Sequence, residues 1–289
     1  MAFLSDRSLR EKPVLLTGAG TSAYAGQVVA GAWPGARAVA TTDLMLLSPD
    51  EIATLVPGIT DGAILISLAR SGDSPESVGV VQRFQALFPR VHHLAITCNA
   101  DGRLAGLPGV DVLALSPETN DRSLAMTASF SNLTLAGLLL LHHHALAPHL
   151  PAICAAMEEH LERMYAVAHA VAAQDSERFV VLASGMQGFA SEAALKALEL
   201  TGGARLGIAE SFLGFRHGPA SALRQNTPVL CFTSNDPAKR RYEEDFVREF
   251  QARGLGRFAI IGDKEVESWP HDWFVPSLAP MLPDQLRAP

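Results

Sequence analysis

The chain has 289 residues, 48% of them hydrophobic and 18% charged, with a net charge of −7. That length carries two ordinary domains, each with its own core, and the acidic balance excludes the basic footprint of a nucleic-acid-binding surface. A membrane span is excluded too: none of the apolar stretches reaches ~18–20 uninterrupted residues, and the run from Leu133 to Leu141 is too short.

The N-terminus, MAFLSDRSLREKP, carries charges where a signal peptide needs an apolar core. Cys98, Cys154 and Cys231 lie far apart and form no CxxC pair. They read as buried or half-buried free thiols of a reducing compartment, so the expected location is the cytoplasm. From Pro13 onward, apolar strand-like runs alternate with helix-period segments, the pattern of an α/β fold around a parallel sheet. PVLLT (13–17) reads as a buried strand ending in a glycine-rich turn, followed by a small-residue helix from Ser22 to Trp33. AILISLA (63–69) is a second strand, with a helix from Pro75 to Leu87; HHLAITC (92–98) and VDVLALS (110–116) are further strands. One long helix is expected from Ser123 to His144 and a connecting helix over 151–174.

Then the pattern restarts. RFVVLAS (178–184) is a strand, Gly188 to Thr201 a helix and ARLGIAE (204–210) a short strand. TPVLCFTS (227–234) is a strand, Pro237 to Arg253 a charged helix and RFAIIGD (257–263) the last strand; the Pro- and Trp-rich tail after Asp263 shows no period. PVLLTGAGTSAYAG (13–26) lies almost on top of FVVLASGMQGFAS (179–191), both being strand, glycine turn, aromatic residue and small-residue helix. A duplication explains this most simply and predicts two similar α/β units, residues 1–150 and 151–289.

Four constellations carry the chemistry. Gly18-Ala19-Gly20-Thr21-Ser22 follows a strand and opens a helix, where glycines allow close backbone approach and free N–H groups favour an anion. A plain capped turn and a dinucleotide-binding turn are the other readings, although Ala23 stands at the third glycine position and no acidic residue follows the next strand as expected. Ser71-Gly72-Asp73-Ser74-Pro75-Glu76-Ser77 also ends a strand. In an open parallel sheet both turns can face one crevice and suit a phosphate monoester; two ordinary helix caps remain the alternative.

Glu192, Lys196 and Glu199, at i, i+4 and i+7, fall within roughly 60° of helix arc. Their surroundings are apolar, so they read either as the wall of a cavity with a proton shuttle or as solvated helix salt bridges worth ~0.3–0.5 kcal/mol each. Finally, His217 lies between Arg216 and Gly218-Pro219 on a loop, where structural hydrogen bonding competes with a chemical role. His142, His143 and His144 point about 100° apart and His92 and His93 to opposite strand faces, so no metal site is expected.

Together these constellations resemble the sugar-isomerase (SIS) domain family, in its tagatose-6-phosphate ketose/aldose isomerase, or galactosamine-6-phosphate deaminase/isomerase, group. The resemblance spans residues 13 to 262. It rests on LTGAGTSAYAG, SLARSGDSPESV, HLAITCNADGRLA, ETNDRSLAMTASFS and EAALKALELTGG followed by AESFLGFRHGP. It implies two tandem SIS domains, each a flavodoxin-like αβα sandwich with a parallel sheet, in a homodimer or higher homo-oligomer. It also implies that the phosphate of a sugar is held at Gly20, Thr21, Ser22, Arg70, Ser71 and Ser74. Glu199 matches the glutamate that shuttles a proton between C1 and C2, Glu192 and Lys196 match its supporting residues, and His217 matches a histidine associated with ring opening. Neither metal nor other cofactor is implied. FTSNDPAK (232–239) replaces the SGDS loop in the second half, so phosphate binding is expected of the first half and acid–base groups of the second. The family's extra terminal helical segments have no counterpart here, which makes a sugar-phosphate-binding protein without turnover the alternative expectation.

Overall fold

The computed structural model describes residues 12–185 and 187–277. The charged N-terminal segment up to residue 11 and the end of the Pro-rich tail, both considered above, lie outside the described residues. In chain order the first elements are β1 (Val14–Thr17), α1 (Thr21–Gly31), β2 (Arg37–Ala38), α2 (Thr41–Leu44), α3 (Pro49–Leu55), β3 (Ile64–Ala69), α4 (Pro75–Leu87), β4 (His92–Thr97), β5 (Val110–Ala114) and α5 (Ala128–Leu146). They continue with α6 (Leu150–Ala172), β6 (Arg178–Ala183), α7 (Gln187–Leu200), β7 (Leu206–Glu210), α8 (Phe212–Arg216), β8 (Pro228–Phe232), α9 (Pro237–Ala252), β9 (Arg257–Gly262) and β10 (Trp273–Pro276). The chain divides into two compact units between Leu141 and His142, and the backbone of α5 leaves helical geometry at His142 (φ −114°, ψ 27°).

In the first unit five parallel strands run in the order β2-β1-β3-β4-β5. Side chains alternate across this sheet, as the two-residue period of a strand requires. Leu15, Leu65 and Ala95 face a core that includes Ile52 of α3 and Phe84 of α4. Leu16, Ile66 and Ile96 face the opposite core, with Val29 of α1 and Leu133 of α5. Burial on both faces is why β1 and β3 read as continuous apolar runs.

The second unit repeats the design. Its sheet order is β10-β9-β8-β6-β7, all parallel, which is the first unit's order with each strand replaced by its counterpart. The duplication expected from 13–26 and 179–191 therefore holds at the level of topology. One face packs Val180, Leu182 and Val229 against Phe212 and Phe215 of α8 and Phe246 of α9. On the other, Val181 and Ala183 meet Ala190 and Ala194 of α7.

Three expectations are corrected. RFAIIGD is not the last strand: Trp273–Pro276 pairs in parallel with β9, inside a tail whose short, proline-ended run gave no alternation to detect. The long helix begins at Ala128, not Ser123, because Asp121 caps it from a preceding loop. Cys98 and Cys231 are buried, but Cys154 is exposed on α6. β2, α2 and α3, all short, had no period to read. Among the described residues no helix is long and apolar enough to cross a membrane.

Candidate active site

In the order β2-β1-β3-β4-β5 the chain reverses direction of travel across the sheet between β1 and β3, and the crevice beyond those strand ends is where doubly wound sheets hold ligands. Thr17 of β1 stands in register with Ser67 of β3, so the 18–22 and 70–74 turns emerge side by side at this edge. Gly20 precedes α1 with φ 55° and ψ −127°, a conformation that side chains with a Cβ rarely adopt. Thr21 and Ser22 open the helix and are both buried. No acidic residue occupies the first turn of α1, which leaves the positive end of the helix dipole for an outside anion.

The second turn is a built loop. Ser71 Oγ accepts from Asp73 N at 3.3 Å, Asn99 Nδ2 donates to Ser71 O at 3.0 Å, and Arg103 N donates to Asp73 Oδ1 at 3.0 Å. Ser74 is the N-cap of α4: its hydroxyl oxygen accepts from Ser77 N at 3.2 Å and contacts Ser77 Oγ at 3.0 Å. The capping alternative is thus realised at Ser74. Arg70 reaches sideways, and its guanidinium donates to Ser123 O at 2.8 Å.

In the second unit α7 lies on β6 and β7 through small residues. Gly207 makes this possible, since a Cβ there would stand 2.6 Å from both the Cα and the carbonyl carbon of Ala194. The helix carries Glu192, Lys196 and Glu199 as one connected row. Lys196 Nζ lies 3.1 Å from Glu192 Oε1 and 2.5 Å from Glu199 Oε2. Side-chain exposure rises along the row from 6% at Glu192 to 24% at Glu199, with Lys196 at 15%. The i, i+4, i+7 spacing brings these charges into contact, and their burial separates the row from a solvated stripe. An ammonium held between two carboxylates at a partly dry surface orients the outer carboxylate, as a proton shuttle needs.

His217 follows the short helix α8, which Phe212 and Phe215 pin into the core beside Phe246. Ser211 caps α8 by accepting from Gly214 N at 3.0 Å. Arg216 is tied to α9 through Asp245 Oδ2 at 2.8 Å and Glu249 Oε2 at 3.4 Å, over the ring of Phe246. His217 itself is exposed, and its ring makes no hydrogen bond among the described residues.

The structure thus groups Gly20, Thr21, Ser22, Arg70, Ser71 and Ser74 at one strand-end edge of the first unit, and Glu192, Lys196 and Glu199 on one helix of the second. Sequence reasoning gave no role to Asn99, which ties down the 70–74 turn, or to Asp121; both lie in quoted motifs, but nothing in their spacing shows a hydrogen bond. Among the described residues no group of three or more His, Cys, Asp or Glu side chains is placed to hold a metal ion.

No family model matches the chain, but relatives are plain. A Streptomyces coelicolor protein named for D-galactosamine-6-phosphate deaminase AgaS is 41% identical over 289 residues, covering 93% of this chain and 74% of that one. The D-galactosamine-6-phosphate deaminase AgaS of Shewanella sp. (strain ANA-3) is 40% identical over 255 residues, covering 82% of this chain and 63% of its own. Among solved structures, the tagatose-6-phosphate ketose/aldose isomerase of Escherichia coli superposes with a TM-score of 0.78 at 30% identity, over 99% of this chain and 82% of that one.

Proposed function

Because the chain belongs to the sugar-isomerase (SIS) family, in the branch of the AgaS galactosamine-6-phosphate deaminases, we propose that it is a phosphosugar isomerase/deaminase that converts galactosamine 6-phosphate to tagatose 6-phosphate and ammonia. The observation that carries the reading is the half-buried Glu192–Lys196–Glu199 row. In this reading the sequence-defined domain of residues 1–150, which contains the whole first unit, holds the phosphate, and that of residues 151–289 supplies the acid–base groups.

The N–H groups and hydroxyls at Gly20, Thr21, Ser22, Ser71 and Ser74, with Arg70, anchor the phosphate and so fix the open-chain sugar. Glu199, the most exposed of the three charged groups, takes the C2 proton of the amino aldose. The C1–C2 enolamine is reprotonated at C1, giving a ketimine. Water then adds to the C=N bond and ammonia leaves, so the ketose phosphate forms without any net redox change. Lys196 and Glu192 hold Glu199 in place, and His217 assists ring opening. Free cysteines fit a reducing compartment, the cytoplasm.

The working form in this reading is a homodimer. Helix α6 supports it: none of its residues is buried, and Met157, Leu161, Met164 and Tyr165 are exposed. At 100° per residue these four fall on one stripe of roughly 100°, the kind of face that a second copy covers.

The experiment is to supply galactosamine 6-phosphate and follow ammonia and ketose phosphate. Glu199→Gln should lower kcat by about 10²–10⁴ while sugar-phosphate binding persists. Absence of turnover by a folded, oligomeric sample would remove the enzyme reading and leave a sugar-phosphate-binding protein.

A further inference from the structure

The second sheet has its own crevice, beyond the ends of β6 and β8, at the same point of its topology as the crevice beyond β1 and β3. Glu243 of α9 is completely buried, and Ser234 N, just past β8, donates to its Oε2 at 3.0 Å and its Oε1 at 3.3 Å. The side chain of Ser184, the first residue past β6, hydrogen-bonds the same carboxyl. The carboxyl thus joins the ends of the two central strands, bound by one backbone N–H and one hydroxyl.

The first unit differs at two corresponding places. Six residues after the proline that opens each helix stand Glu243 in α9 and Val81 in α4, and Val81 is an ordinary buried core residue. The helix cap is neutral Ser74 in α4 but Asp236 in α9, which accepts from Ala238 N at 2.8 Å. A cation beside Glu243 is engaged as well. Arg240 donates to Ser234 O at 2.6 Å, to Asn235 Oδ1 at 3.0 Å and to Asp263 Oδ2.

We propose that the Glu243 carboxylate is an internal anion occupying the second unit's strand-end crevice. It closes that crevice to phosphate and locks the Ser184 turn that launches α7, the helix of Glu192, Lys196 and Glu199. The inference rests on the reading above only in giving the phosphate to the first unit. Burial pushes the Glu243 carboxyl above its ordinary range, opposed by the Ser234 and Ser184 hydrogen bonds and by the charges of Arg240 and Lys239. A buried group of this kind persists only where its partners are fixed. With the carboxylate in place, a second phosphate meets a filled space at this edge.

Removing the side chain leaves an anion-shaped hole, which a small carboxylate can refill. At pH 8, Glu243→Ala should melt below the parent protein, and formate should raise its Tm saturably by roughly 2–4 °C. The parent and Glu243→Gln should not respond. A Glu243→Ala protein no more responsive to formate than the parent overturns the proposal. If that variant does not fold, calorimetry of the unmodified protein with inorganic phosphate decides: saturation at one site per chain is expected, and two sites overturn it. Phosphate binding that survives combined Ser22→Ala and Ser71→Ala would instead count against the first-unit phosphate site, without touching the formate result.

Discussion

Asp121 organises the start of α5 by itself. Its carboxylate accepts from Thr127 N at 2.9 Å, Ala128 N at 3.2 Å and Ser129 N at 2.8 Å, and from the hydroxyls of Thr127 and Ser129 at 3.1 and 2.6 Å. Desolvation alone would raise its pKa, but the hydrogen bonds from Ser129 and Thr127 outweigh it and hold the carboxyl well below the ordinary aspartate range. A depressed pKa contributes stability that is complete above the unfolded-state value and declines as pH falls towards the folded one. Asp121→Ala should therefore cost about 1–2 kcal/mol near neutral pH. The gap between parent and variant, read from urea melts, should shrink progressively only below the ordinary aspartate range. A gap independent of pH down to acid unfolding would show that the cap does not act through its charge. The sequence revealed the charged row on α7 because 3.6-residue spacing alone brings Glu192, Lys196 and Glu199 together. It could not reveal Asp121, which reaches α5 across a loop with no period.

Helix α7 depends on what lies beneath it. Ala190 and Ala194 pack on Val181 and Ala183, and Gly207 of β7 admits the backbone of Ala194. That close approach sets the height at which the Glu192–Lys196–Glu199 row stands above the sheet. Gly207→Ala must push α7 outward, at a cost of about 1–3 kcal/mol. Activity should fall further than stability accounts for, because the row moves with the helix. Chemical denaturation compared with kcat checks both; a variant as stable and active as the parent would show that the contact is not required. The small-residue composition of α7 was visible in the sequence, but its reason was not. The glycine that needs those alanines sits on a different strand, and no local pattern links the two.

At the scale of the whole molecule, two sheets of one topology carry different chemistry. Hydroxyls and the acid-free start of α1 mark the first strand-end crevice, and a buried carboxylate marks the second. If α6 is the dimer face, charges placed on its exposed stripe must separate the subunits: Leu161→Glu with Met164→Glu should convert a dimer to a monomer in light scattering, with each unit still folded. An unchanged molar mass would assign that stripe another role. The sequence by itself determined the α/β class, the duplication and the charged row, since each follows from a local period or a repeated local motif. Only the tertiary structure decided that β10 completes the second sheet, that Asp121 starts α5 and that Glu243 fills the second crevice. Each of these depends on contacts between segments distant along the chain, and no spacing rule encodes them.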